Sequence, residues 1–208
     1  MFAGAGRRVS RPYEKPFWEE SEMADSTDLI ELLLEDHKTA ETLLGKVGEA
    51  DVDQSELFDQ LVHDLVGHEV AEEEIVYPVV RSSIPQGDAL ADARIAEQQK
   101  AEELLSKMEQ MDQKSAEFSD SMAKLRDEAL AHAQAEEREV FPKLKEHVNE
   151  DRRSTLGQAY KTAKATAPTH PHPHAPNTPP GNMAAGSIAA VADRVRDAAK
   201  AALHKIHA

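Results

Sequence analysis

An eleven-residue run that begins with His and ends with Pro occurs twice in this chain and limits the folds it can adopt. The copies are HEVAEEEIVYP, from His68 to Pro78, and HAQAEEREVFP, from His132 to Pro142. In each copy a Glu follows the His by four residues, which gives the pairs His68/Glu72 and His132/Glu136. Residues four apart lie on one face of an α-helix. Each copy therefore directs one imidazole and one carboxylate to one point, and two copies suggest two half-sites that meet.

Apolar residues at helical spacing predict four amphipathic helices around these runs. The predicted ranges are 26–47, 55–80, 88–111 and 115–148, and Pro85-Gln-Gly87 breaks the chain between the second and the third. His37 lies in the apolar stripe of the first helix, with Ile30, Leu33, Leu34, Ala40 and Leu44. Pro78 and Pro142 fall late in their helices, where a kink or an end is expected. Four such helices with short connections predict an all-α, antiparallel up-down bundle.

The first pair of helices resembles the second pair. Superposing Leu43-Leu44 on Leu104-Leu105 places Ala40-Glu41 on Ala101-Glu102 and His37 on Gln98. The inward polar set then comprises His37, His68, Glu72, Gln98, His132 and Glu136. Burying such groups without partners costs about 1–3 kcal/mol each, whereas a metal centre satisfies them together. The repeated pattern therefore favours a metal site over ordinary buried histidines or surface charges.

Composition narrows the choice of metal and partner. The chain has no Cys, so a site must use His and carboxylates, which suits Fe, Mn or Zn. Residues 23–150 hold 12 Lys and Arg against 32 Asp and Glu, a net charge of −20 that argues against binding nucleic-acid phosphates. No apolar run reaches the length of a membrane span, and no export signal follows Arg7-Arg8. We therefore expect a cytoplasmic protein without stable membrane insertion.

Four segments flank the predicted bundle, which covers 23–150. They are a disordered lead (1–22), a short helix packing across the bundle end (151–167), a Pro/His-rich linker (168–186) and a basic amphipathic helix (187–208). His170, His172 and His174 of the linker offer at most weak metal binding, because alternate residues of an extended Pro-rich segment do not share a face. All six inward residues precede Asp151, so the segment that follows is expected to be dispensable for metal binding.

The neighbours of the six inward residues have simpler predicted roles. Glu41 and Glu102 are interpreted as surface carboxylates or as acceptors for a ligating imidazole, rather than as ligands. Tyr77 and Phe141 match each other in the two runs and are predicted to be core residues. The remaining charged neighbours are predicted to lie on solvated faces: His63, Glu73, Glu74, Glu137, Glu139 and His147.

These motifs resemble the hemerythrin-like (HHE cation-binding) family in its actinobacterial form, over about residues 26–148. The resemblance implies a non-haem di-iron centre in which each half supplies a His from one helix and a His-xxx-Glu pair from the next. The first half is complete, with His37, His68 and Glu72. The second half has His132 and Glu136, but Gln98 stands where a His is expected. Since Gln is a weak ligand, one iron is expected to be open, labile or absent.

The resemblance implies a protein that binds or reacts with O₂ or a related small oxidant such as peroxide or NO. The position left by Gln98 favours reactivity or sensing over simple oxygen carriage, and consumption of peroxide is one activity that remains open. Two alternatives also remain. One is an iron-sensing or iron-buffering protein without catalysis, and the other is a bundle with a degenerate single-metal site. The sequence names no protein partner.

Overall fold

The computed structural model describes residues 26–47, 54–175, 181, 189, 190 and 193. The predicted N-terminal lead and most of the predicted C-terminal helix lie outside the described residues. The elements of the described part are α1 (Leu29–Lys46), α2 (Gln54–Ala71), a π-helical turn (Glu72–Val76), α3 (Tyr77–Ser83), α4 (Gly87–Met108), α5 (Ala116–Glu139), α6 (Phe141–His147) and α7 (Glu150–Thr166).

Four helical rods form the antiparallel bundle that the sequence predicts. α1 is the first rod, α2 continues through the π turn into α3 as the second, α4 is the third, and α5 with α6 forms the fourth. Each rod packs against the next along the chain, and α1 also packs against α5, which closes the bundle. The fold is therefore all-α in its described part, as predicted.

Local sequence signals set the ends of these helices. Asp28 caps α1 by accepting a hydrogen bond from the N–H of Ile30 at 2.9 Å, two residues after the predicted start of the first helix. Ser115 caps α5 at the predicted start by accepting from the N–H of Phe118. Side-chain oxygens of this kind satisfy amides that have no partner within the helix.

The two prolines that close the repeated runs interrupt their rods in different ways. Before Pro78, the N–H of Tyr77 bonds to the carbonyl of Glu72, five residues back, which makes a π turn. Before Pro142, α5 ends at Glu139 and α6 begins at Phe141. Both interruptions follow from proline's missing N–H and its clash with the preceding turn. Single π turns inside α-helices occur often at functional sites, and this one begins at Glu72.

Two apolar clusters fill the bundle and leave a polar layer between them. One cluster includes Leu33, Ala71 and Val140, and the other includes Leu44, Leu65 and Leu125. His37 thus lies between Leu33 and Leu44 along α1, and His68 lies between Leu65 and Ala71 along α2. The polar set that the sequence singled out therefore occupies the interior of the bundle.

The prediction for one residue in the apolar stripe of the first helix is wrong. Leu34 is 42 % exposed, whereas Leu32 is buried in the core cluster. The reason is α7, which covers α1 on a side that a four-helix bundle leaves open. Leu32 lies next to Gly157 of α7, so the buried face of α1 turns toward that helix.

α7 packs against α1, α2 and the π turn, although the sequence predicted that it would cross the bundle end. Arg153 pairs with Asp28 at 2.8 Å, and Nζ of Lys161 donates to the carbonyl of Ser26 at 2.7 Å. At Gly157 the two backbones come so close that a Cβ would lie 2.0 Å from the carbonyl oxygen of Thr27. Only glycine fits there without moving one of the helices.

We expect Gly157→Ala to destabilise the protein by about 1–3 kcal/mol, the usual cost of overpacking a tight contact. Gly45→Ala is the matched control, because Gly45 is also helical and its added Cβ would meet nothing within 4 Å. That variant should instead gain about 0.5–1 kcal/mol from the better helix propensity of Ala. Urea unfolding of both variants measures the difference. Equal stabilities would show that α7 does not depend on this close approach.

The Pro/His-rich segment after α7 contacts α4 over its described residues. The N–H of His172 donates to Oε1 of Glu102 at 2.8 Å, and the ring of His170 contacts Glu109. The buried carboxylate of Asp193 accepts from the N–H groups of Thr169 and His170, at 3.1 Å each. Among the helices the structure describes, none is long and apolar enough to span a bilayer.

Candidate metal centre

The structure brings the six inward polar residues together from all four rods. α1 supplies His37, α2 supplies His68 in its last turn, and the π turn supplies Glu72 at its first position. Gln98 comes from α4, and His132 with Glu136 comes from α5. Glu72 and Glu136 are 0 % exposed and Gln98 is 2 % exposed. Such complete burial of two carboxylates requires close compensation of their charge.

The imidazoles and carboxylates approach one another at distances typical of ligands around one ion. The distances from Nε2 to the nearest Oε2 are 3.3 Å for His37–Glu136, 3.3 Å for His68–Glu72 and 3.5 Å for His132–Glu136. Ligands bound about 2.1 Å from one ion lie roughly 3–4 Å apart. Among the described residues, the one group of at least three that fits a metal ion is His37, His68, Glu72 and Glu136, with ligand atoms within 4.8 Å of one another.

Several buried atoms of the cluster have no hydrogen-bond partner among the described residues. They are Nε2 of His37, Oε1 of Glu72, Oε1 of Gln98, Nε2 of His132 and Oε2 of Glu136. A buried polar atom without a partner costs about 1–3 kcal/mol. All five belong to imidazole, carboxylate or amide groups that can bind a cation. The residues present therefore fit a metal centre, because a cation satisfies these atoms at once.

Each imidazole is oriented by a partner that contacts its Nδ1 atom, on the side of the ring that faces away from the cluster. The partners are Oε1 of Glu137 for His37 at 2.9 Å, the hydroxyl of Tyr160 for His68 at 2.7 Å, and Oε2 of Glu97 for His132 at 3.0 Å. Because an ionised carboxylate only accepts, Nδ1 of His37 and of His132 carries the proton. When the ring is neutral, Nε2 keeps a lone pair that faces the cluster and can bind a cation. Acceptors of this kind orient metal-binding histidines and raise their basicity.

Sequence reasoning missed these outer partners. Glu137 was predicted to lie on a solvated face, but it accepts from His37 with 40 % of its side chain exposed. Glu97 and Asp36 could have been found, because the superposition that pairs His37 with Gln98 also pairs Asp36 with Glu97. Tyr160 is 92 residues from His68, so no local spacing indicates it. Its contact argues against the expectation that everything after Asp151 is dispensable.

Charges within the cluster shift its pKa values strongly. Burial lowers the pKa of His37, but the carboxylates of Glu136 and Glu72 outweigh burial and raise it to about 9. Burial raises the pKa of Glu136, but His132 and His37 outweigh it and lower that pKa to about 2. The raised pKa of His37 favours a second proton on its ring, which helps to compensate the buried carboxylates when no metal is bound. A cation and this proton compete for the same atom.

The two matched aromatic residues of the repeat differ at the centre. Both are buried, as predicted. The hydroxyl of Tyr77 donates to Oε1 of Glu136 at 2.9 Å and lies 3.4 Å from Oε2 of Glu72. Phe141 has no hydroxyl and stacks on the ring of His37, with centroids 5.4 Å apart. Tyr77 therefore joins the two carboxylates on one side of the cluster in addition to filling the core.

Gln98 points into the cluster, as its place on the inward stripe predicts. Its Nε2 donates to Oε2 of Glu72 at 2.6 Å. It does not bond along its own helix to Glu102, which instead accepts from the N–H of His172. Gln98 therefore contacts the carboxylate of the other half-site, and its own carbonyl oxygen is left without a partner.

Most of the residues predicted to lie outside the site do lie outside it, and Glu137, which contacts His37, is the exception. The side chain of His63 is 57 % exposed and its nearest carboxylate is that of Asp64 at 4.0 Å. His147 and Glu41 are exposed. His170 and His172 contact Glu109 and Asp193 rather than the cluster.

A cavity of about 40 Å³ adjoins the cluster. His37, His68 and Gln98 line one side of it. Its other walls include the small or apolar residues Ala40, Leu44, Leu65, Ala101 and Ala129. A space of this size holds a water or a molecule of two or three atoms, far less than a typical organic substrate needs.

The four-helix bundle buries imidazoles and carboxylates, and several of their inner nitrogen and oxygen atoms have no hydrogen-bond partner in the described part of the chain. These features are those of a metal-binding helical protein. The chain belongs to the hemerythrin family, because the model of the hemerythrin HHE cation-binding domain matches residues 28–144. This finding confirms the resemblance drawn from the sequence, while the actinobacterial form stays a prediction.

Two relatives extend the comparison. An uncharacterised hemerythrin-like protein of Schizosaccharomyces pombe is 32 % identical over 140 residues, which are 67 % of this chain and 69 % of that protein. A DNA nickase of a Nostoc strain is 28 % identical over 132 residues, which are 62 % of this chain and 37 % of the nickase. The chain thus spans little more than a third of the nickase. No solved structure matches the chain significantly.

Proposed function

We propose that this protein holds a non-haem di-iron centre and binds or reacts with O₂ or a related small oxidant, peroxide or NO. The observation that carries the proposal is the set of five buried donor atoms without hydrogen-bond partners, gathered from His37, Glu72, Gln98, His132 and Glu136. Iron is favoured over softer metals because the donor set is imidazole and carboxylate, and because the chain belongs to a family of cation-binding domains.

In this proposal the ligands are His37, His68, Glu72, His132 and Glu136, with Gln98 as a weak sixth. Each imidazole binds through Nε2, since Nδ1 is engaged from outside. Glu72 lies 3.3 Å from His68 and 4.0 Å from His132, so it sits between the half-sites. Glu136 likewise lies near both His37 and His132. Both carboxylates would therefore help to hold metal in either half of the centre.

Bound iron would supply the electrons and the open coordination position that reaction with an oxidant requires. The chain's own residues set the conditions for it. The apolar clusters on both sides exclude bulk water from the centre. The hydroxyl of Tyr77 supplies a hydrogen-bond donor between Glu72 and Glu136, which helps to hold both carboxylates in place.

The cavity beside Gln98 supports a small ligand. Its volume of about 40 Å³ accommodates O₂, peroxide or NO but no larger organic substrate. Its largely apolar wall suits an uncharged molecule. In the second half-site, Gln98 occupies the position that His37 occupies in the first, so a histidine nitrogen is missing there. We propose that the exchangeable position lies on this side of the centre.

Iron sensing or buffering without catalysis is the second candidate, and Gln98 is also the observation that favours it. A weak ligand makes one ion easy to lose, which suits a protein that responds to iron supply. If that ion is never held, the centre is a degenerate single-metal site. We do not propose the nickase activity of the Nostoc relative, because residues 23–150 carry a net charge of −20 that opposes phosphate binding.

Uptake of peroxide and O₂ by the purified full chain tests the proposal. Protein loaded with iron should consume peroxide or bind O₂ with a change in its near-ultraviolet bands, whereas protein loaded with zinc should do neither. The zinc form is a matched control, since it fills the same ligands without redox chemistry. If the iron-loaded protein is inert to O₂, peroxide and NO, the proposal is wrong and iron sensing or buffering is the function that remains.

A further inference from the structure

The two half-sites hold their His-xxx-Glu imidazoles through different outer partners. Asp36 and Glu97 occupy equivalent positions in the repeat, each just before the inward residue of its helix. Glu97 reaches Nδ1 of His132 directly, at 3.0 Å. Asp36 is one methylene shorter, and its Oδ2 stays 3.5 Å from Nδ1 of His68. That distance is too long for a good hydrogen bond.

The hydroxyl of Tyr160 fills this gap. Its oxygen lies 2.7 Å from Nδ1 of His68, and it donates to Oδ2 of Asp36 at 2.6 Å. Because a phenol has a single proton, which goes to Asp36, the oxygen accepts from the N–H of His68. Nζ of Lys164, one turn later in α7, holds the other oxygen of Asp36 at 2.7 Å. A chain of contacts thus runs from the centre into α7.

The helix that supplies Tyr160 lies outside the part of the chain that matches the family. The match ends at residue 144, and α7 begins at Glu150. The ring of Tyr160 is 2 % exposed, and the close approach at Gly157 fixes α7 against α1. The first half-site is therefore complete only when α7 is docked, whereas the second half-site has its acceptor within the bundle.

We propose that Tyr160 is a positioning residue of the first half-site, through which metal occupancy and the docking of α7 stabilise each other. The proposal rests on the metal-binding function proposed above. Detaching α7 removes the acceptor of the His68 N–H, and losing such an outer partner typically costs 10–100-fold in metal affinity. By linkage, a bound metal strengthens the docking of α7 by the same factor.

Amide hydrogen exchange of α7 in the full chain measures this coupling. Fe(II) added without oxygen should slow exchange of the α7 amides about tenfold in the parent, by the linkage just described. In Tyr160→Phe, which keeps the buried ring, Fe(II) should have no such effect on α7. Lys161→Met is the matched control, because it removes a bond between α7 and Ser26 that does not reach His68. Its α7 should exchange faster, yet slow by the same factor when Fe(II) binds.

A second substitution distinguishes a positioning role of Tyr160 at His68 from a general contribution of Tyr160 to the stability of the fold. Tyr160→Phe should release Fe(II) to a chelator about tenfold faster than the parent. Adding Asp36→Glu gives the first half-site the longer carboxylate that the second already uses. The double variant should therefore retain Fe(II) like the parent.

The outcomes distinguish this inference from the proposed function. A parent chain that takes up no iron would overturn both. A parent that binds iron while α7 exchanges at an unchanged rate would overturn the coupling alone. Equal slowing of α7 in the parent and in Tyr160→Phe, or no rescue by Asp36→Glu, would remove Tyr160 from its role at His68.

Discussion

His68→Ala and His132→Ala should each lower the iron content from about two per chain and lower the thermal stability of the protein. Each variant deletes an Nε2 atom that lies 3.3–3.5 Å from a buried carboxylate oxygen. A metal bound only by the folded state stabilises it by about 2.7 kcal/mol when its free concentration is 100 times Kd. Losing that metal therefore costs stability of this order. Metal analysis and thermal unfolding of the purified variants measure both effects.

His63→Ala is the matched control for this experiment. His63 lies on α2, five residues before His68, and its side chain is 57 % exposed. Its replacement should change neither the iron content nor the unfolding temperature. Removing the metal from all proteins with a chelator should bring the stabilities of parent and variants closer together. Equal iron loss in the three variants would mean that the centre is not built from the face of α2 that bears His68.

The local part of the site was predictable because it depends on the spacing of residues within one helix. A His and a Glu four apart share a face in any α-helix, so the two pairs followed from the sequence. The duplication then added His37 and Gln98 by superposition. The bundle followed from apolar stripes of the same period. These features need no knowledge of how distant segments pack.

Two of the outer partners, Glu137 and Tyr160, were not predictable in the same way, because their contacts depend on packing between distant segments. Glu137 reaches His37 across the bundle, 100 residues away in sequence. Tyr160 reaches His68 only because α7 lies along α1 and α2. The same packing explains why Leu32 rather than Leu34 is buried. A stripe of apolar residues indicates that a helix has a buried face, but not which other helix covers its edge.

The repeat also shows where its two copies have diverged in chemistry. Tyr77 and Phe141 occupy equivalent positions, yet only Tyr77 offers a hydroxyl to the carboxylates. Asp36 and Glu97 are equivalent too, yet only Glu97 reaches its imidazole directly. With Gln98 opposite His37, each half thus differs from the other in an inward residue and in an outer one. If the proposed di-iron centre is correct, its two positions should therefore differ in affinity and in access.

Gln98→His tests that inference at the inward position, and it should increase iron retention while reducing any peroxide consumption. Gln98 is 2 % exposed and already contacts Glu72, so a His of similar size can reach the centre from the same place. An imidazole nitrogen is a stronger ligand than an amide oxygen. It would hold the second iron and fill the exchangeable position beside the cavity.

Gln99→His provides the comparison, because it adds the same side chain one residue later, on the exposed face of α4. It should match the parent in iron content, in the rate of iron release to a chelator and in peroxide consumption. For Gln98→His, slower release together with slower consumption would show that the Gln leaves an open, reactive position. Slower release with unchanged consumption would place the reaction elsewhere on the centre. If Gln98→His instead behaves like Gln99→His in all three measurements, then Gln98 only fills space and bonds Glu72, and the missing His does not define what this protein does.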